Sequence, residues 1–201
     1  MLDQKIREFW DRFMRPVGRA FSRAGVSANV VTLASVVVMA VAGGLIIQGR
    51  LLAAGLVAIV AGLGDAIDGA IAKVRGTSDR FGALLDSTSD RLSDALLMVP
   101  LAWLYGVAPD IDERDAPWVA ALALGTLVAS FLVSYVRARA ESLGIPCKVG
   151  IAERAERTIL VIAGLVFDLV PYALAILCLL TVVTFGQRIA HVRAQVRSGP
   201  A

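Results

Sequence analysis

Four carboxylates carry the chemistry this chain offers. Asp65 and Asp68 close one apolar run, and Asp86 and Asp90 open the next, within the stretch GDAIDGAIAKVRGTSDRFGALLDSTSDR of residues 64–91. Residues three or four apart share a helix face, so each pair projects together if its run is helical. A hairpin of the two helices would bring both pairs to one place. Four like charges that close repel, and take up protons unless cations lie between them. A donor set made of carboxylate oxygens, with no Cys or His beside it, suits hard divalent ions such as Mg²⁺ or Mn²⁺. The competing reading is a set of local ion pairs with Lys73, Arg75, Arg80 and Arg91. It is the weaker one, because ionised acids at the edge of apolar helices are costly near lipid and mark functional sites. Gly69, Ala72 and Gly82 are also small where the approach of a ligand needs room.

The elements that must position these acids are membrane helices. The chain has 201 residues, 57% of them hydrophobic, and a mean hydropathy of +0.72, an apolar share above that of soluble domains. Several runs approach the ~20 residues that cross a bilayer. Six spans are expected, at about 28–48, 51–75, 80–106, 117–141, 154–168 and 171–192. Residues 1–25 precede them as an amphipathic helix, with Lys5, Arg7, Arg12, Arg15, Arg19 and Arg23 among Ile6, Phe9, Trp10, Phe13, Val17 and Phe21. Such a helix lies in the interface plane, and Pro16 is expected to bend or break it. The organisation is therefore all-α: a juxtamembrane helix (1–25), a six-helix transmembrane domain (26–193) and a short tail (194–201). Ala54, Ala58, Gly62, Ala66 and Ala70 form a row of small residues at spacing four in the second span, which lets helices approach closely in lipid.

Loop charge sets the expected orientation. The N-terminal segment, 73–80, 137–157 and the tail after Arg188 are basic, whereas the other connections hold Arg50, the acidic 110–115 stretch and Asp168. The positive-inside rule then puts both termini, and the aspartates, on the cytoplasmic side of the cell membrane. A net charge of +3, with the arginines gathered in loops, argues against a nucleic-acid surface. Trp10, Trp103, Trp118, Tyr105 and Tyr172 fall near helix ends, as interface anchors do. Cys147 and Cys178 fit no metal or redox spacing, His191 reads as a surface residue of the basic tail, and no cleavable signal peptide is expected.

Asp65, Asp68, Gly69, Ala72, Lys73, Gly82, Asp86 and Asp90, eight positions across twenty-six residues, resemble the signature of the CDP-alcohol phosphatidyltransferases, integral membrane enzymes of phospholipid synthesis. One position departs from the pattern: the family has Arg where this chain has Lys73, and Lys keeps the charge without the bidentate fork. The resemblance implies two divalent ions (Mg²⁺ or Mn²⁺) and a CDP-linked lipid such as CDP-diacylglycerol. It further implies Asp65, Asp68, Asp86 and Asp90 as metal ligands, with Asp90 also the base for the attacking alcohol. Gly69, Lys73 and Gly82 match its CDP-contacting positions, and Asn29 and Thr32 at the mouth of the first span match more weakly.

Arg137, Arg139, Lys148, Arg154 and Arg157 form a cationic segment suited to an acceptor that carries its own phosphate. The segment SYVRARAE followed by ERAER is similar to that of the actinobacterial phosphatidylinositol phosphate synthases. By that resemblance Arg137, Arg154 and Arg188 hold the phosphate of inositol phosphate. Glycerol 3-phosphate is the alternative acceptor, since it too is phosphorylated, and positive-inside topology is the chemistry-free explanation of these arginines. A small ion transporter is the rival outside the enzyme class, but it would spread acids through the bilayer depth. The resemblance also implies a homodimer.

Overall fold

A computed structural model of the protein is all-helical and describes residues 2–76, 80–108, 116–151 and 153–197, with side chains from residue 13 onward. The acidic 110–115 loop, the Trp10 side chain, the apolar positions at 6 and 9 and the last four residues of the tail lie outside the described residues. Among the described residues seven helices follow one another: α1 (Leu2–Arg23), α2 (Ala28–Ile47), α3 (Leu51–Arg75), α4 (Arg80–Gly106), α5 (Pro117–Ser142), α6 (Arg154–Val166) and α7 (Val170–Arg197).

Local chemistry explains where the helices begin and end. The Ser27 hydroxyl accepts the Val30 amide at 3.3 Å, capping orphan N–H groups at the start of α2. The far end of α2 stops at Gly49, whose φ of 74° is left-handed. Amides of Gly49 and Arg50 close back onto Ile46 and Leu45, each at 2.9 Å, the double closure that satisfies terminal carbonyls. α5 opens on Pro117, where a missing N–H costs nothing. Asp168, at φ 54°, makes the sharp turn between α6 and α7, a conformation Asp tolerates better than most side chains. α1 continues through Pro16, so the expected break is absent. Proline's fixed φ is itself helical, and a helix can absorb one lost hydrogen bond.

Six of these helices occupy the positions expected for spans, within a few residues. α2, α3, α5 and α7 are long and apolar enough to cross a membrane. α4 carries Arg80, Asp86, Asp90, Arg91 and Asp94, and α6, at 13 residues, extends only about 20 Å. The described surface is that of a protein dissolved in lipid. Val30, Leu33, Val37 and Val41 face outward along α2, as do Leu52, Leu56, Ile59, Val60 and Leu63 along α3. Stripes of this extent are foreign to soluble monomers, and the protein is a multi-pass membrane protein.

The chain divides into two compact units, Met1–Ala42 with Leu56–Leu96, and Gly43–Gly55 with Leu97–Ala201. In the first, the buried side chains are mostly small or polar: Thr32, Ala42, Ala58, Ala61, Asp68, Ala70, Ser89 and Ser93, beside Met14, Met39 and Ile71. Small residues bring the helices together. A Cβ on Gly18 of α1 would sit 2.7 Å from the Ala70 carbonyl oxygen of α3. The Arg75 guanidinium donates to the Ser22 hydroxyl at 3.1 Å and to its carbonyl at 3.4 Å. Of the small-residue row, Ala54, Ala58 and Ala70 are buried, while Gly62 faces open space. The second unit packs α5, α6 and α7 around an apolar core that includes Leu101, Leu104, Val119, Leu165, Leu174 and Leu177. Tyr105 belongs to that core at 4% exposure, whereas Trp103, Trp118 and Tyr172 are outside. Tyr105 is therefore no interface anchor: it is buried with Leu101 and Leu104 of the same helix. His191 keeps partial exposure, with its ring against the Pro146 carbonyl at 3.3 Å and the Gln195 amide at 2.7 Å.

The packing at Gly18 predicts an asymmetry between two glycines. Gly18→Ala should lower the thermal midpoint by the equivalent of about 1–3 kcal/mol of overpacking, whereas Gly62→Ala should leave it unchanged or raise it. Thermal unfolding of the two purified variants in one detergent checks this, and equal midpoints would exclude the α1–α3 contact.

Candidate functional site

The first unit gathers three of the four predicted acids. Asp65 and Asp68 project from one turn of α3 and Asp86 from α4, with carboxylate oxygens all within 4.8 Å of one another. Asp68 is buried, Asp65 half-buried and Asp86 exposed. At 4.8 Å, two unit charges in an effective dielectric near 20 repel by roughly 3 kcal/mol. Three carboxylates held so close, with oxygen as their only donor atom, fit a hard divalent cation.

Thr32 fixes one of these acids. Its hydroxyl lies 2.6 Å from Asp68 Oδ2 and 3.1 Å from the Ala28 carbonyl. A hydroxyl has one proton, and the shorter, charge-assisted bond is the one it makes. Thr32, matched at sequence level to the CDP contacts, here orients a carboxylate across two helices. Asp90 lies one turn beyond Asp86 on α4, outside the group of three. Its Oδ2 is 3.9 Å from Arg91 NH1, with 18% of its side chain exposed.

Beside the acids lies a cavity of about 720 Å³, lined by Met14, Arg15, Arg19, Asp65, Ala66, Gly69, Ala70, Lys73 and Val74. Asp65, Gly69 and Lys73 follow one another at spacing four on α3, so one helix face presents a carboxylate, bare backbone and an ammonium to the same space. Gly69 is exposed, and a Cβ there would meet no protein atom within 4 Å. Glycine at this position is not demanded by the packing of the helices; it leaves the cavity open. Gly82, in the first turn of α4, and Asn29, in the first turn of α2, are half-buried and do not line this cavity.

The basic residues expected to hold an acceptor belong to the second unit. Arg188 of α7 is buried, with Nε donating to the Val149 carbonyl at 2.9 Å and NH1 to the Val133 carbonyl at 2.6 Å. It thus ties α7 to α5 and to the connection before α6. That connection passes so close to Thr184 at Gly150, where φ is 136°, that no side chain would fit. Arg137, Arg157 and Glu153 lie within electrostatic reach of the Arg188 guanidinium. Arg137 itself pairs with Glu141 at 2.9 Å, Arg154 opens α6 half-buried, and Arg157 is buried. Of the expected acceptor residues, Arg137 thus lies within electrostatic reach of Arg188, as does Arg157. Sequence reasoning missed the burial of Arg157, the Thr32–Asp68 bond and the placement of Arg15 and Arg19 at the cavity. The i, i+4 spacing of Arg15 and Arg19 was the available signal, obscured by the many other basic residues of α1.

Replacing Gly69 with Leu separates ligand space from protein packing. Helix propensity favours Leu over Gly by up to about 1 kcal/mol, so the variant should unfold at an equal or higher temperature. Its catalytic turnover should nevertheless fall at least about tenfold, roughly 1.4 kcal/mol. A loss of stability in step with the loss of activity would contradict an open cavity at Gly69.

Comparison with known proteins supplies the family. The sequence profile described as CDP-alcohol phosphatidyltransferase matches residues 26–186. The chain is 36% identical over 200 residues to the phosphatidylinositol phosphate synthase of Mycolicibacterium smegmatis, covering 93% of this chain and 86% of that protein. It is 32% identical over 198 residues to the archaetidylinositol phosphate synthase of Pyrococcus horikoshii, covering 97% and 98%. Among solved structures, the Mycobacterium tuberculosis phosphatidylinositol phosphate synthase with CDP-DAG bound superposes with a TM-score of 0.79 at 32% identity, covering 90% of this chain and 94% of that one. The same mycobacterial enzyme has been solved with manganese and citrate, with a TM-score of 0.78. With its aspartate signature on two adjoining helices and matches along nearly its whole length, the chain belongs to the CDP-alcohol phosphatidyltransferase family.

Proposed function

We propose that the protein transfers the phosphatidyl group of CDP-diacylglycerol to inositol phosphate, releasing CMP and forming phosphatidylinositol phosphate. The observation that carries this reading is the group Asp65, Asp68 and Asp86, with its ligand atoms within 4.8 Å, beside a cavity of about 720 Å³ that Asp65, Gly69 and Lys73 line. The acceptor is supported by relatives whose names share an inositol phosphate lipid product and by the basic cluster of the second unit.

In this reading Asp65, Asp68, Asp86 and Asp90 hold two divalent ions, Mg²⁺ or Mn²⁺. Bound there, such ions neutralise the diphosphate of the donor and polarise the phosphoryl oxygens. Thr32 keeps Asp68 in its ligating orientation. Gly69, Lys73 and Gly82, with Asn29 at the start of α2, receive the CDP group, and the bare backbone at Gly69 admits it closely. Arg137, Arg154 and Arg188 receive the acceptor phosphate. Arg188 has five N–H donors, of which two engage carbonyls of the protein. Asp90 accepts the proton of the attacking hydroxyl. The hydroxyl oxygen forms a bond to the lipid-bearing phosphorus, and the bond from that phosphorus to the CMP oxygen breaks. CMP departs with the electron pair.

The same proposal covers the membrane arrangement. α2 to α7 form six spans. α1 lies at the interface, and both termini and the aspartates face the cytoplasm, where CTP-derived substrates arise. The working form is a homodimer.

Acceptor competition tests the reading. Purified protein with CDP-diacylglycerol and Mg²⁺ should release CMP with inositol phosphate, and not with glycerol 3-phosphate, inositol or serine. Asp90→Asn should lower that rate by at least about a hundredfold, within the range of general-base contributions, and Arg154→Ala should raise the KM for inositol phosphate. Turnover with glycerol 3-phosphate instead would keep the donor chemistry and reassign the arginines. No CMP release with any acceptor would refute the proposal and revive ion transport.

A further inference from the structure

α1 does more than lie on the membrane. It is registered on α3 by the Gly18–Ala70 approach and by the two bonds from Arg75 to Ser22, and Met14 is buried in the same unit. That register places Arg15 and Arg19, one turn apart, in the lining of the cavity that Asp65, Gly69 and Lys73 also line. The cavity wall thus presents three cationic side chains and one carboxylate, and that carboxylate is a proposed metal ligand. Such a wall selects an anion with more than one charge. Two guanidiniums four residues apart match a diphosphate better than a single phosphate, since each can form paired hydrogen bonds to a separate phosphoryl group. The lining also shows a division of labour. Lys73, on α3, offers a point charge without a planar fork, and the forks stand opposite it on α1.

We propose that Arg15 and Arg19 bind the diphosphate of the CDP-linked donor, so that α1 forms one wall of the donor site. The inference rests on the donor assigned under the proposed function. It adds two specificity-determining residues outside the aspartate signature, and they supply the guanidinium contact that Lys73 cannot. An anionic lipid headgroup shares the chemistry of the diphosphate and is the rival source of charge for these arginines.

The test uses the full-length protein in nanodiscs of phosphatidylcholine, with and without an anionic lipid. Equilibrium binding of CDP-diacylglycerol is measured without acceptor, and KM values for donor and acceptor are then taken from CMP release. The double variant Arg15→Gln, Arg19→Gln should bind CDP-diacylglycerol about tenfold more weakly in both membranes, with the acceptor KM unchanged. Arg15→Lys with Arg19→Lys should recover part of the loss. Arg23→Gln, which removes one charge from α1 away from the cavity lining, should leave donor affinity as it was. The single variants, read separately, serve if the double variant does not fold. Donor affinity unchanged within about twofold would overturn the inference, as would a loss confined to the anionic membrane. Wild-type protein that binds no CDP-diacylglycerol would overturn the proposed function and this inference together; wild-type binding with indifferent variants would overturn this inference alone.

Discussion

Three carboxylates within 4.8 Å of one another, on helices that belong among lipid, impose the constraint that organises the first unit. Charge of one sign concentrated there raises the energy of the folded chain unless positive charge offsets it, and lipid cannot supply that. The rest of the unit accommodates that demand. Thr32 reaches from α2 to hold Asp68, α4 contributes Asp86 to the pair on α3, and Gly69 keeps the adjoining space clear. Small residues, including Ala58, Ala61 and Ala70, let the backbones approach closely enough for this to happen.

The two units solve different problems. Buried side chains in the first are small or polar, which suits a site that must admit a charged ligand. The second buries mainly Leu, Val and Ala, with a few hydroxyls and two arginines, Arg157 and Arg188, among them; the Arg188 guanidinium satisfies carbonyls of α5 and of the connection before α6. An arginine so engaged is part of the architecture as well as a candidate for binding phosphate. Its replacement therefore has to be read against stability before it is read as chemistry. Arg137 pairs instead with its neighbour Glu141 on the same helix.

Much of this was legible from residues alone, for physical reasons. α2, α3, α5 and α7 match their expected positions closely because apolar runs of membrane length leave few alternatives. Asp65, Asp68 and Asp86 converge as expected because their spacing places each on a definite helix face. What escaped was set by contacts between segments distant in sequence. Thr32 and Asp68 are 36 residues apart, and no pattern within α2 announces that its threonine serves an aspartate of α3. Arg15 and Arg19 were hidden among the other cations of α1, and only the packing of Gly18 on Ala70 shows which of them face the cavity. Pro16 was expected to bend or break α1, and no break is present; Tyr105 was expected to mark an interface. Burial in the core overrides the second expectation, and α1 runs through Pro16 because proline's fixed φ is itself helical.

The central claim is that the three carboxylates form a divalent-metal centre engaged by the donor. Titration of Mn²⁺ into the purified, metal-stripped protein, followed by electron paramagnetic resonance of the free ion, tests it most directly. The account predicts saturable binding that tightens when CDP-diacylglycerol is present and that Asp68→Asn weakens by at least about tenfold. Equal Mn²⁺ uptake by wild type and Asp68→Asn, unaffected by the donor, would contradict it.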